Sequence, residues 1–283
     1  MSILYSLVHL TSPAIRPPEL IYVAARAGYD CVSFRGIPTR MRSQAAGEKS
    51  VDQAATGKMP FDFANDRQLL RDTLNAAKET GVVINDSENA RIFDGVDTAD
   101  YEADIVATAE LGAKHILTNV WTENKCFYTE QFVKLCDIAK RYDITVNLEF
   151  VTWSGIKNLK EAAALLKSSG CGNVGIVVDA LHFYRSRVSS DELTAAPQKW
   201  FNYVHLCDCP REIPNDRESL IFTGINERLL PGEGAIGIRG IVEKIPNAVR
   251  GLEAPNAARI REVGFEKYAK QALSAAKKLL CDI

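Results

Sequence analysis

The chain has 283 residues, 46% of them hydrophobic and 25% charged, which is ample for a large buried core in an ordinary soluble protein. A formal net charge of -2 gives no general attraction to nucleic acid or to anionic membranes, so the composition points to a small-molecule partner. Seven cysteines, at 31, 126, 136, 171, 207, 209 and 281, form no CxxC pair and no zinc-finger spacing; they read as reduced, mostly buried thiols of a cytoplasmic protein.

The N-terminal run has no basic region and soon meets His9 and two prolines, so it reads as neither a signal peptide nor a membrane span. Ile3 to His9 is predicted as the first strand instead. A phrase then recurs: an alanine-rich helix ends at glycine and a β-branched strand follows at once. It is seen in AARAG before YDCVSF, AAKETG before VVIND, AELGA before KHILTN and LLKSSG before CGNVGIVVD. Glycine in the left-handed conformation stops a helix, and short connections from helix to strand are what a parallel sheet needs.

Strands are predicted near 3–9, 31–35, 82–86, 114–120, 145–151, 174–179, 203–208 and 248–253, with helical periodicity between them. The last helical segment repeats Phe265, Tyr268, Ala269, Ala272, Leu273, Ala276, Leu279 and Leu280 at helical spacing. Eight alternations in one chain predict a single (β/α)8 barrel domain over 1–283. A doubly wound sheet is the alternative, but no GxGxxG follows an early strand. Two connections, 36–64 and 209–235, are too long for simple turns. Both follow strands, which assigns them to the C-terminal rim as active-site loops.

The strands from the fifth to the eighth each carry an acid or a histidine near the exit end: Glu149, Asp179, His205 and Glu253. Singly, each is an ordinary strand-end residue. Together on neighbouring strands of a closed barrel they converge, and three adjacent carboxylates repel in a low dielectric unless a cation neutralises them. A divalent metal ion resolves the repulsion. Three oxygen donors and one imidazole form a mainly hard set, which favours Mn2+, with Mg2+, Co2+ or Zn2+ as alternatives.

The order Glu149, Asp179, His205, Glu253 and the strings NLEF, VVDALHF, VHLCD and RLLPGEG resemble the xylose isomerase-like TIM-barrel superfamily, often labelled sugar phosphate isomerase/epimerase. The resemblance spans essentially the whole chain. It implies a metal held by those four residues and an isomerase or epimerase acting on a small sugar, keto-polyol or related hydroxy-ketone through an enediolate, with Glu149 and Glu253 as the proton-transfer groups. A metal-dependent dehydratase of the inosose or 3-dehydroshikimate type is the alternative. By the same resemblance His182 and Arg211 contact substrate oxygens, and homo-oligomers are frequent. The epimerases carry a second glutamate six residues past the first ligand, where this chain has Gly155. An endonuclease of this fold needs more histidines than the four present and a basic face. Trp153 is expected to floor a sugar-like ligand. Glu88, Asn89 and Arg35 are expected at the rim, and His115 at the opposite, structural end.

Overall fold

The computed structural model describes residues 3–39 and 61–280. Most of the connection expected over 36–64 lies outside them. Eight strands, β1 (Tyr5–Val8), β2 (Cys31–Arg35), β3 (Val83–Glu88), β4 (His115–Thr118), β5 (Thr145–Glu149), β6 (Val174–Asp179), β7 (Tyr203–Leu206) and β8 (Val249–Leu252), pair in parallel and in sequence order. Pairing of Tyr5 with Arg250 and of Leu7 with Leu252 closes β8 onto β1, so the expected (β/α)8 barrel is present.

The helices among the described residues are α1 (Pro17–Ala27), α2 (Arg67–Thr80), α3 (Glu102–Glu110), α4 (Lys125–Lys140), α5 (Leu159–Ser169), α6 (Ala180–Arg185), α7 (Ser190–Ala195), α8 (Arg217–Asn226), α9 (Ile238–Lys244), α10 (Ala257–Val263) and α11 (Phe265–Leu279). Each of the four helix-to-strand phrases places its glycine at positive φ, at Gly28, Gly81, Gly112 and Gly170. Asp66, Asn124 and Asn158 cap α2, α4 and α5 by accepting backbone N–H bonds in the first turn. No helix among the described residues is long and apolar enough to cross a membrane.

Most of the core lies between the strands and the helical layer, where Leu7, Phe34, Ile116, Leu148, Ile176 and Leu252 are fully buried. The barrel interior holds a small apolar group of Leu117, Val177 and Tyr203. Around it sit buried polar side chains: Ser6 approaches Ser33, and the Ser33 hydroxyl donates to Asp86 at 2.6 Å. An irregularity in the register decides which face of β3 carries these groups. Val32 pairs with Ile84 but Ser33 with Asp86, so Asn85 is an extra residue. The insertion lets Ile84 join the outer core while Asp86 points inward. Glu88, two residues on, shares the face of Asp86 and reaches the C-terminal rim.

Several strands are shorter than predicted. After Leu206, Asp208 leaves the barrel to form an antiparallel bridge with Leu229, which ends β7 early. The 209–235 connection is therefore no open loop: it contains α8 and is tied down at its far end. The Asp208 carboxylate accepts N–H bonds from Cys209, Gly232 and Ile236 at 2.9 to 3.0 Å.

Candidate metal centre and cavity

Glu149, Asp179 and the β7 residue His205 stand at or near the strand ends, and Glu253 follows β8 directly. One donor atom from each lies within 4.8 Å of all the others, and all four side chains are buried. Asp179 also caps α6, accepting N–H bonds from Leu181 at 2.7 Å and His182 at 3.1 Å through one oxygen. Its other oxygen receives Arg228 Nη1 at 2.6 Å, and the same nitrogen lies 2.9 Å from Glu253 Oε2. Arg228 is held in turn through its Nε donating to the Gly224 carbonyl at 2.6 Å.

His205 provides the test of fit. Its Nδ1 lies 3.7 Å from Glu149 and 3.5 Å from Glu253, too far for good hydrogen bonds, and neither buried ring nitrogen has a partner among the described residues. Buried polar atoms are ordinarily satisfied. An imidazole orphaned between two carboxylates is satisfied by a shared cation. Three carboxylates and one guanidinium leave a formal charge of -2 with neutral His205, which a single divalent ion cancels. The donor set therefore fits a divalent metal ion.

Electrostatics differentiate the members. Burial disfavours ionised Asp179, yet the Arg228 guanidinium with His182 and His205 outweighs it and holds the carboxyl below the usual carboxylate range. Burial pushes Glu149 up, against the opposing contact with His205. Burial also favours neutral His205, but Glu253 and Glu149 raise it well above the ordinary histidine value.

Beside the cluster opens a cavity of about 530 Å³, whose lining includes Glu149, Glu253, Arg228, Glu88 and His182. Phe93, Trp121, Trp153, Ile221 and Ile225 supply its apolar wall, the last two from α8. Asn119 joins wall to cluster: it receives the Trp121 indole N–H and donates to Glu149 Oε2 at 3.3 Å. His182 receives contacts on Nδ1 from the Thr152 hydroxyl at 3.1 Å and the Thr152 N–H at 3.4 Å. Trp153 packs against its ring edge, with centroids 4.8 Å apart. Burial pulls His182 down to about 3, so the ring is neutral and its remaining hydrogen is on Nε2.

The predicted residues are thus distributed unevenly. Glu149, Asp179, His205 and Glu253 converge, and His182, Trp153 and Glu88 line the same cavity. Arg211 does not. It is exposed in a separate surface hollow with Arg187 and Ser190, where its carbonyl accepts the Tyr184 hydroxyl at 2.9 Å. The physical reason is the path of the chain after β7, which turns away to the Asp208 bridge and returns to the cavity only with α8 and Arg228. Arg228, which contacts Asp179 and Glu253 and lines the cavity, was not singled out by sequence reasoning, although it opens the string RLLPGEG. His9 is packed: Nε2 bonds the Ile15 carbonyl at 2.9 Å and Nδ1 accepts the Arg35 N–H at 3.2 Å. Gly155 also has a steric cause, because a Cβ there would lie 2.1 Å from the Thr122 carbonyl oxygen.

Fold and site together define a (β/α)8 barrel with a buried carboxylate–imidazole cluster able to hold a metal ion at the C-terminal ends of its strands. The chain belongs to the xylose isomerase-like TIM barrel family, whose model matches residues 21–279. Among curated proteins it is similar to the inosose isomerase of Bacillus subtilis (strain 168), 24% identical over 152 residues covering 53% of this chain and 52% of that protein. A second inosose isomerase, from Bacillus velezensis, is 29% identical over 111 residues, or 38% of each chain. The matched region thus spans about half or less of these relatives. Solved structures share the fold at low identity. The IolI protein with a bound zinc atom superposes with a TM-score of 0.77 at 17% identity, covering 98% of both chains. The 3-keto-D-glucoside 4-epimerase YcjR of E. coli gives 0.70 at 14% identity, covering 98% of this chain and all of that one.

Proposed function

We propose that this chain is a divalent-metal-dependent isomerase or epimerase acting on a small polyhydroxy ketone. The observation that carries the reading is the pair Glu149 and Glu253, both approaching Nδ1 of one orphaned imidazole at the edge of a cavity sized for a small ligand. The names of the relatives, inosose isomerase and sugar epimerase, favour the same class of chemistry.

Glu149, Asp179, His205 and Glu253 would hold the ion, Mn2+ being favoured by the mainly oxygen donor set, and the bound ion would acidify the hydrogen beside a substrate carbonyl by stabilising the enediolate. The side chains provide the rest. Glu149 is driven toward higher proton affinity, which suits a group that takes a proton from carbon and returns it. Neutral His182 presents Nε2–H to a substrate oxygen while Thr152 fixes the tautomer. Arg228 keeps Asp179 ionised and holds it in place beside Glu253. The indoles of Trp121 and Trp153 keep water from the reacting carbon.

The experiment is twofold. Metal analysis of the purified protein should find about one divalent ion per chain, and Asp179→Ala should lose most of it. Incubation with an inosose in D2O should exchange the hydrogen beside the carbonyl. No metal uptake from Mn2+, Mg2+, Co2+ or Zn2+ would sink the reading. A product lighter by one water would instead identify the dehydratase.

A further inference from the structure

Resting on the reading just given, the cavity holds acceptors that the metal cluster does not use, and their position tells what the far side of the substrate must carry. A hydroxyl differs from a carbonyl or a carboxylate in having a hydrogen to give. A cavity built for several hydroxyls therefore needs acceptors of its own, and a buried acceptor is costly to leave without a donor.

Most polar groups of the cavity either cannot accept or are already engaged. Arg35, Arg91, Arg217 and Arg228 only donate. His182 receives the Thr152 hydroxyl on Nδ1, and the Asn119 oxygen receives the Trp121 indole N–H. Glu149 and Glu253 belong to the cluster. Glu88 and Asn89 remain. They are 4% and 5% exposed and line the cavity, and neither Glu88 Oε1 nor Asn89 Oδ1 has a hydrogen-bond partner among the described residues.

The fold fixes where these two oxygens stand. Glu88 ends β3 and Asn89 follows it. The Glu88 carbonyl accepts the Ile37 N–H at 3.0 Å, and the Ala90 N–H donates to the Leu117 carbonyl at 2.9 Å, which ties the segment to the chain after β2 and to β4. In the closed ring β3 stands opposite β7, whereas the cluster is drawn from β5 to the end of β8. A ligand whose carbonyl faces the cluster thus meets Glu88 and Asn89 with its other end.

We infer that Asn89 and Glu88 form a hydroxyl-reading subsite across the barrel mouth from the cluster, which restricts the substrate to ketones carrying at least two hydroxyls beyond the carbonyl and the hydroxyl beside it. Asn89 Oδ1 accepts from one of these hydroxyls, and Glu88 Oε1 pairs with the other. The ionisation of Glu88 does not enter, because a hydroxyl gives to a carboxylate and equally receives from an acid. Three-carbon hydroxy-ketones have too few hydroxyls to fill the subsite. Both residues orient the substrate, and neither moves the proton at carbon.

The test compares two ring ketones on wild type incubated with Mn2+. One is an inosose; the other, 2-hydroxycyclohexanone, keeps the carbonyl and one adjacent hydroxyl and lacks the rest. The kcat/KM for deuterium entry at carbon in D2O should be about 100-fold higher for the inosose, chiefly through KM, because a site built to bond hydroxyls rejects the analogue without them. Asn89→Leu should narrow that ratio by about 10-fold, and Glu88→Met should narrow it as well. Equal kcat/KM for the two ketones in wild type, or a folded Asn89→Leu that slows both alike or neither, overturns the subsite. A second readout is free of turnover. Calorimetric titration with myo-inositol, which has the hydroxyls without the carbonyl, should give a Kd about 10-fold weaker for Asn89→Leu than for wild type. No binding to wild type, or equal affinity, overturns the subsite. Binding of myo-inositol that depends on Asn89, with no deuterium exchange from the inosose, would refute the isomerase reading and leave the subsite standing.

Discussion

Arg228 makes three polar contacts within the cluster through one nitrogen: Asp179 at 2.6 Å, Glu253 Oε2 at 2.9 Å and the Glu253 carbonyl at 3.2 Å. Removing one partner of a buried ion pair leaves uncompensated charge, so Arg228→Met should cost the metal-free protein about 3–5 kcal/mol in urea unfolding. Added Mn2+ should restore more stability to that variant than to wild type. A cost below about 1 kcal/mol would mean that the contacts are energetically idle. His9 offers a separate test far simpler in its chemistry. Both ring nitrogens are committed to backbone groups, and burial lowers its pKa from 6.5 to about 4. The unfolded chain then binds the proton more readily between those values, so this residue's contribution to stability is full above about pH 6.5 and is lost as pH falls toward about 4. In His9→Gln the slope of unfolding free energy against pH in that window should shrink by about 1.4 kcal/mol per pH unit. An unchanged slope would refute the neutral, packed assignment.

At the level of elements, the alternation of helix, glycine and strand was legible because each glycine has a local cause, the left-handed stop. The four cluster residues were legible for a related reason: they follow apolar strand runs, and a closed barrel brings consecutive strand ends together. Rim segments obey no such period. Counting six residues from His205 leads to Arg211, but the Asp208 bridge to Leu229 diverts the chain, and the arginine that arrives is Arg228. The inward turn of Asp86 was equally hidden, since strict alternation has no place for the extra Asn85. Gly155 was visible as a departure from the epimerase pattern without its reason. Its N–H donates to the Val120 carbonyl at 2.8 Å, and the Thr122 carbonyl fills the place of a side chain. Gly155→Ala should therefore destabilise the protein by about 1–3 kcal/mol, measured by urea unfolding, by forcing these two rim segments apart. A neutral result would show that the segments separate freely.

For the molecule as a whole, a bound ion that stabilises only the folded chain must appear as a linkage between metal and melting. At a free concentration about 100 times its dissociation constant, Mn2+ should add about 2.7 kcal/mol and raise the melting temperature by about 5 °C, an increment that EDTA removes and Asp179→Ala lacks. Equal melting with and without the ion would argue against a specific site. The cavity wall has a practical consequence as well. Two of the three tryptophans, Trp121 and Trp153, line it, the first beneath the Arg91 guanidinium and the second edge-on to His182. Indole emission responds to nearby charge and to displaced solvent, while Trp200 lies apart as a nearly constant background. The protein thus contains its own optical gauge of occupancy, and a library of unlabelled polyhydroxy ketones can be sorted by quenching alone before any turnover assay exists.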